Sequence, residues 1–262
     1  MPELPDVERF KGYLDATALH QDVAGVEVRD ADLLKGISAR KLRSQLEGRP
    51  FESTSRHGKF LFVHPPSPPL LVLHFGMTGY LDYAREDREP PEHARVVFHF
   101  AEGHRLAYVC QRKLGLVALA DDRRAFIEHR GLGPDALDHG LTYRAFSDRL
   151  KGRRGTVKSA LMNQAILAGV GNVYADEILF QAGIAPGRRV DRLDDQELRN
   201  LHRTMRRVLK TSIRNNAEVP RLPRTYLLPH RDSDGRCPRC GRELEKVRIS
   251  GRGTYLCPHC QE

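Results

Sequence analysis

The chain has 262 residues, enough for about two domains and a sizeable buried core, and its 40% apolar and 29% charged content excludes a disordered tail protein. No apolar run approaches the roughly 18 residues of a membrane-spanning helix, and the opening MPELPDVERF holds three acids and no apolar leader core, so a cytosolic protein is expected. The formal charge of +9 is uneven, a net −2 over residues 1–140 and +11 over 141–262. This predicts that the second half meets a polyanion, nucleic acid before an anionic membrane, unless it is only an arginine-rich solvated surface.

In chain order, LPDVERFKGYLDATAL places a proline in a first turn and apolar residues at Val7, Phe10 and Leu14, which predicts a helix. From about Gly25 to Leu119 the pattern predicts strands and turns. KFLFVH, LLVLHFGM, ARVVFHF, RLAYVC and LGLVALA are short and rich in Val, Leu and Phe, and HPPSPP, REDREPPEH and AEGH separate them, which suggests a sandwich or barrel. Cys110, in RLAYVC, reads as a small core side chain. GLGPDALDHG, residues 131–140, reads as a linker. Helical periods follow in YRAFSDRLK, VKSALMNQAILA, NVYADEILFQAG and DDQELRNLHRTMRRVLKTSI, the last acidic at its start and basic at its finish. Residues 218–235 read as a proline-rich loop into the final segment and a candidate for mobility.

That final segment holds Cys237, Cys240, Cys257 and Cys260 as C-x2-C-x16-C-x2-C. Two C-x2-C turns joined by a two-stranded hairpin suit one structural, four-thiolate zinc ion; disulfides are the alternative, disfavoured in a reducing compartment.

Three groups of residues could carry chemistry. Trimming of Met1 would expose the secondary amine of Pro2, which titrates far below a lysine and can attack a sugar carbon to form an iminium, with Glu3 moving protons. The same two residues also read as a helix lead-in. AGVGN lies between two helical segments, where glycine N–H groups can approach a phosphate and Asn172 adds a donor, although a packing turn has the same appearance; KGRRGTVK upstream adds positive charge. Arg252, in SGRGTY, would project from a hairpin turn. In the β region, Lys59, His74, Met77, Arg112, Lys113 and Leu114 fall at strand edges or turns, where core packing is the competing explanation for each.

MPELPDVE, HFGMTG, GVGNVYADE and CPRC…GRGTYLCPHC stand in the order found in the formamidopyrimidine-DNA glycosylase / endonuclease VIII (Fpg/Nei) family, which the chain resembles along nearly its whole length. The resemblance implies an α+β fold: an N-terminal helix with a β-sandwich domain (1–130), a linker (131–140), a helix-two-turn-helix domain (141–230) and a zinc finger (231–262), with DNA in the cleft between domains. It implies a bifunctional DNA glycosylase and β,δ-lyase that removes oxidised bases, a monomer with one structural zinc and no redox cofactor, acting on damaged, double-stranded DNA at the nucleoid.

Carried over residue by residue, the resemblance makes Pro2 the Schiff-base nucleophile and Glu3 its acid/base partner. Lys59, Asn172 and Arg252 would hold phosphates, with Lys158 near the lesion and His74 on the DNA-binding side. Met77, Arg112 and Leu114 would fill the gap left by a flipped nucleotide, while Asp6 and Glu177 would support the active site. Extruding a base costs a few kcal/mol, which such side chains offset. The chain departs from the family in PELPD for PELPE, in CQRKLG for DPRRFG, and in an unrelated 218–235 segment. These changes lean the expected substrate away from 8-oxoguanine and toward ring-opened purines, oxidised pyrimidines or abasic sites. Two other classes stand beside this reading: a non-catalytic, structure-specific DNA binder on the same scaffold, and a zinc-ribbon module for transcription or RNA.

Overall fold

The structure is a computed structural model and describes residues 1–232 and 234–262; Ser233, in the proline-rich loop, lies outside the described residues. The chain divides into two compact units, Met1–Pro2 with Asp6–Arg130, and Glu3–Pro5 with Gly131–Glu262.

The first unit takes most of α1 (Leu4–Thr17), whose Val7, Phe10 and Leu14 are buried on the spacing the sequence predicts. Two antiparallel four-stranded sheets follow. One runs β1–β6–β7–β5, from β1 (Val23–Val28), β5 (Tyr80–Arg85), β6 (Ala94–Phe100) and β7 (His104–Val109). The other runs β2–β3–β4–β8, from β2 (Ser53–His57), β3 (Phe60–His64), β4 (Leu70–His74) and β8 (Leu116–Ala120). Alternate residues from both sheets, among them Leu61, Val63, Leu73, Val96, Phe98 and Leu106, share one core with α1 and with α2 (Ala39–Leu46), which makes a sandwich. Cys110 lies in this core as a free thiol.

On the far side of the second sheet, Phe62, Val72, Leu116 and Ala118 are covered by Phe126 and Ile127 of α3 (Arg123–His129). Strands β3 and β4 are therefore buried on both faces, which is why they read as unbroken apolar runs. The strands the sequence pattern did not single out, β1, β2 and β5, are partly exposed and interleave polar residues. Helices α2 and α3 were also not anticipated; α2 interrupts the predicted all-strand stretch, nucleated by Ser38, whose side chain caps Lys41 N–H.

In the second unit, α4 (Tyr143–Leu150), α5 (Val157–Met162), α6 (Asn172–Ala182) and α7 (Asp195–Arg214) enclose one apolar core. The glycine-rich stretch 131–140 packs onto this unit: Ala136 is fully buried, its N–H donates to Ala168 O, and a Cβ on Gly133 would meet Ala165 O at 2.6 Å. The predicted helix VKSALMNQAILA stops at Met162. Asn163 turns the chain by accepting Ala165 N–H with its own side chain, and Gln164 braces the following loop by donating to Met162 O and Val170 O and accepting Gly169 N–H. Helix α7 opens with a capping box between Asp194 and Glu197. The zinc ribbon pairs β9 (Glu245–Ile249) with β10 (Arg252–Leu256). The segment before it is anchored, because Leu222, Tyr226 and Leu228 enter the helical core and Leu227 enters the ribbon's. No described helix is long and apolar enough to cross a membrane.

Candidate active site

Helix α6 begins at Gly171, which has no side chain to cap the exposed amides. Glu3 supplies the cap from the other end of the sequence: Oε2 accepts Gly171 N–H at 2.7 Å and Tyr174 N–H at 3.2 Å, and Oε1 accepts Val173 N–H at 2.8 Å. A carboxylate here also meets the positive end of the helix dipole. Gly169 makes the approach possible. Its φ is +113°, Leu4 N–H donates to its carbonyl at 3.0 Å, and a Cβ in its place would lie 2.6 Å from Leu4 Cδ1. Of the two glycine amides that AGVGN was expected to offer a phosphate, that of Gly171 is taken by Glu3 and that of Gly169 by Gln164. What the turn fixes is a fully buried carboxylate one residue from the half-buried Pro2.

The next residues of α6 diverge by helix face. Tyr174, Ala175, Ile178 and Leu179 enter the helical core, whereas Asn172, Asp176 and Phe180, spaced by four, meet the ribbon. Asn172 donates one of its two amide hydrogens to Gly253 O at 3.0 Å. Arg252 begins β10 directly after the two-residue turn of Ser250 and Gly251, both at positive φ (49° and 74°), and its side chain is exposed.

Beneath them lies a charged network that the sequence did not announce. Lys158 is fully buried, with Nζ 2.6 Å from Asp176 Oδ1 and 2.6 Å from Thr254 Oγ1. Asp176 also holds Arg231 at 2.9 Å and accepts Tyr255 N–H at 3.2 Å. Burial pushes the Lys158 ammonium below the usual lysine range, and Asp176 opposes it. Lys158 was expected among the DNA contacts. It has no accessible surface here, so it is an internal strut. Glu177 is equally buried, accepting Leu228 N–H at 2.8 Å and Gln181 Nε2 at 2.9 Å; burial raises its carboxyl to about 7. Adjacent acids on one helix thus tie down two different segments. The four-residue spacing of Asn172, Asp176 and Phe180 could have revealed the ribbon-facing side; nothing marked Thr254 or Arg231.

In the ribbon, the four Sγ atoms lie within 4.8 Å of one another, with Cys237–Cys260 at 3.8 Å and Cys240–Cys257 at 3.6 Å. Four thiolates about 2.3 Å from a tetrahedral zinc would sit about 3.8 Å apart, so the site fits the ion.

The first unit carries the other candidates. Lys59 is buried in the turn from β2 to β3. His74 packs against Phe60 with ring centroids 4.8 Å apart and planes tilted by 44°, and it accepts Gly76 N–H through Nδ1. Burial, then the charges of Lys59 and Arg130, lower its imidazole to about 4, so at neutral pH it is an uncharged support. The ring, half-buried, also braces the turn. Met77 follows in that turn, half-buried. A Cβ on Gly76 would lie 2.4 Å from the Leu114 carbonyl carbon, and one on Gly115 would lie 1.9 Å from Tyr108 Oη. These glycines let the Met77 turn and the Arg112–Leu114 loop back onto each other. Arg112 donates its backbone N–H to Thr78 Oγ1 at 3.2 Å, and Lys113 pins the loop by an ion pair to Asp30 at 2.6 Å, which holds the Asp30 carboxyl below its usual range. Leu114 stands 52% exposed at the tip of this loop. Asp6 lies in the first turn of α1, partly buried.

Family models match three consecutive stretches: the formamidopyrimidine-DNA glycosylase N-terminal domain over residues 1–117, the formamidopyrimidine-DNA glycosylase H2TH domain over 132–222, and a zinc finger found in FPG and IleRS over 235–262. Over its full length the chain is 34% identical to the formamidopyrimidine-DNA glycosylase of Symbiobacterium thermophilum, covering 89% of that protein. It is 36% identical to the one from Geobacter metallireducens, each covered completely. A crystal structure of Lactococcus lactis Fpg with DNA containing N7-benzyl-Fapy-dG matches at TM-score 0.91 and 26% identity over the whole of both chains. The complex of Lactococcus lactis Fpg with abasic-site DNA gives 0.90 and 26% over 99% of each.

Proposed function

Because the chain belongs to the formamidopyrimidine-DNA glycosylase family, we propose that it excises oxidised bases from duplex DNA, ring-opened purines foremost, and then cleaves the strand with the nitrogen of Pro2 as nucleophile. The observation that supports this most strongly is the seating of Glu3: three backbone N–H groups fix the carboxylate next to Pro2. The chain's second half, residues 141–262, is strongly basic, suited to a polyanionic substrate.

Removal of Met1 turns the Pro2 nitrogen from an amide into a secondary amine. Its lone pair attacks C1′ of the flipped nucleotide, the glycosidic bond breaks, and the base departs with that electron pair and a proton. The Glu3 carboxylate takes the proton from the Pro2 nitrogen and passes it to O4′ as the C1′–O4′ bond opens to an iminium. Loss of a C2′ proton expels the 3′ phosphate, a second elimination expels the 5′ phosphate, and water hydrolyses the iminium to regenerate the amine. Lys59, Asn172 and Arg252 hold phosphates, Met77, Arg112 and Leu114 replace the lost stacking, and Asp6 supports the nucleophile's helix. Lys158 and Glu177 act from within, by holding the ribbon and the 218–235 segment. The four cysteines hold zinc, which keeps Arg252 in place and takes no part in the bond changes.

Borohydride trapping on abasic-site duplex, followed by peptide mapping, tests this. The reduced adduct is expected on Pro2 and should fall sharply in Pro2→Ala. An adduct mapped to a lysine, or none from chains whose intact mass shows Pro2 first, would sink the proposal; retained binding without an adduct would leave a DNA-binding scaffold.

A further inference from the structure

Helix α7 buries Leu201, Met205, Val208, Leu209 and Ser212. On the opposite side, Arg203, Arg207, Lys210 and Arg214 are all exposed. At 100° per residue these four cations fall within an arc of about 60°, centred roughly 180° from the buried face, and they extend along about 16 Å of helix. Arg199 continues the line one turn earlier but is paired with Asp195 at 2.7 Å. Among the described residues, none of the other four has an acidic partner within ion-pair distance; Arg203 and Arg214 reach only the neutral side chains of Asn200 and Thr211.

A row of like charges at i, i+4 and i+3 spacing destabilises its own helix. A solvated surface helix ordinarily intersperses acids to remove that penalty, as α7 itself does in its first turn with Asp195 and Glu197. The row also lies apart from the candidate site. The α6 residues that enter the core shared with α7 are Tyr174, Ala175, Ile178 and Leu179, whereas Asn172 and Asp176 of the same helix turn to β10 and the ribbon. The cations of α7 are a further layer out, on the side of α7 turned away from that core.

We propose that this face is a second duplex-DNA surface, which grips the phosphate backbone of a neighbouring DNA segment while the Asn172–Arg252 side holds the first. Adjacent cations one helical turn apart are spaced about 6 Å, close to the spacing of phosphates along one strand, and the contact reads no sequence. Its use is direct transfer between DNA segments during the search for damage. The proposal rests on the chain being a DNA-binding protein but not on its having catalytic activity.

The test is the rate at which full-length protein leaves a labelled, undamaged duplex of about 20 base pairs as unlabelled duplex is added. For the wild-type chain the observed rate should rise in proportion to competitor. In Arg203→Glu/Arg207→Glu/Lys210→Glu/Arg214→Glu it should become independent of competitor, while borohydride trapping on a short abasic duplex stays within twofold. Arg203→Lys/Arg207→Lys/Arg214→Lys should keep the competitor dependence. A flat wild-type profile, an unchanged slope in the glutamate variant, or loss of trapping together with transfer would overturn the proposal. So would a face that captures anionic vesicles or RNA but leaves duplex transfer unaltered. Failure of trapping in the wild-type chain with transfer intact would instead count against the enzymatic reading alone.

Discussion

The carboxylate of Glu3 accepts the N–H of Gly171 at 2.7 Å, joining the third residue of the chain to the start of a helix 168 positions later. A residue proposed for proton transfer is therefore also the N-cap of α6, and the two roles are separable. Glu3→Ala leaves three amides without their partner and should cost about 2 kcal/mol in chemical denaturation. Glu3→Gln keeps an acceptor oxygen and should lose roughly half as much, while both variants lose borohydride trapping. A Glu3→Ala protein as stable as wild type would show that the cap contributes nothing.

Gly76 is held at φ +58° with the Leu114 backbone, not a movable side-chain tip, in the space a Cβ would take. Gly76→Ala should destabilise the first unit by at least about 2 kcal/mol, or shift the 110–115 loop and weaken binding to lesion-containing duplex. Denaturant melts together with affinity for an abasic duplex check this; wild-type values in both would contradict the packing described.

Removing one member of the buried pair strands the other. Lys158→Met should cost about 3 kcal/mol, since Asp176 then keeps only Arg231 as counter-ion. Adding Asp176→Asn should recover part of that loss. Strictly additive destabilisation in the double-mutant cycle would refute an energetic link between them.

Glu177 makes the fold pH-sensitive. Its carboxyl is raised to about 7 from 4.5, so between those values the unfolded chain gains by ionising while the folded protein stays protonated. Stability should fall as pH rises across that window, by up to about 3 kcal/mol, with the loss complete above pH 7. Glu177→Gln should flatten this part of the profile. Parallel profiles for the two proteins would rule out the assignment.

The zinc hairpin, the apolar strands and the long α7 were legible because each has a local signature: thiol spacing, double-sided burial, or amphipathic period with matched ends. Strands β1, β2 and β5, exposed on one side, lacked that contrast. The site was legible in part. Glu3 and the GVGN turn were both singled out, but a sequence has no way to show that one fills the other, because their pairing depends on the positive φ of Gly169 and the course of Leu4. For Lys158 the residue type suggested contact with DNA, and complete burial reverses that reading. Asp176, Arg231 and Thr254 come together only through tertiary packing.

The hydroxyl of Thr254 touches the Lys158 ammonium from a strand whose far end runs into Cys257, a residue of the metal cage. Oxidants that strip the ion would therefore do more than loosen a surface finger. They would loosen a neutral partner of a charge in the protein's interior, leaving the Lys158 ammonium to Asp176. A protein assigned to oxidised DNA would in this way carry its own vulnerability to the agent that makes its substrate.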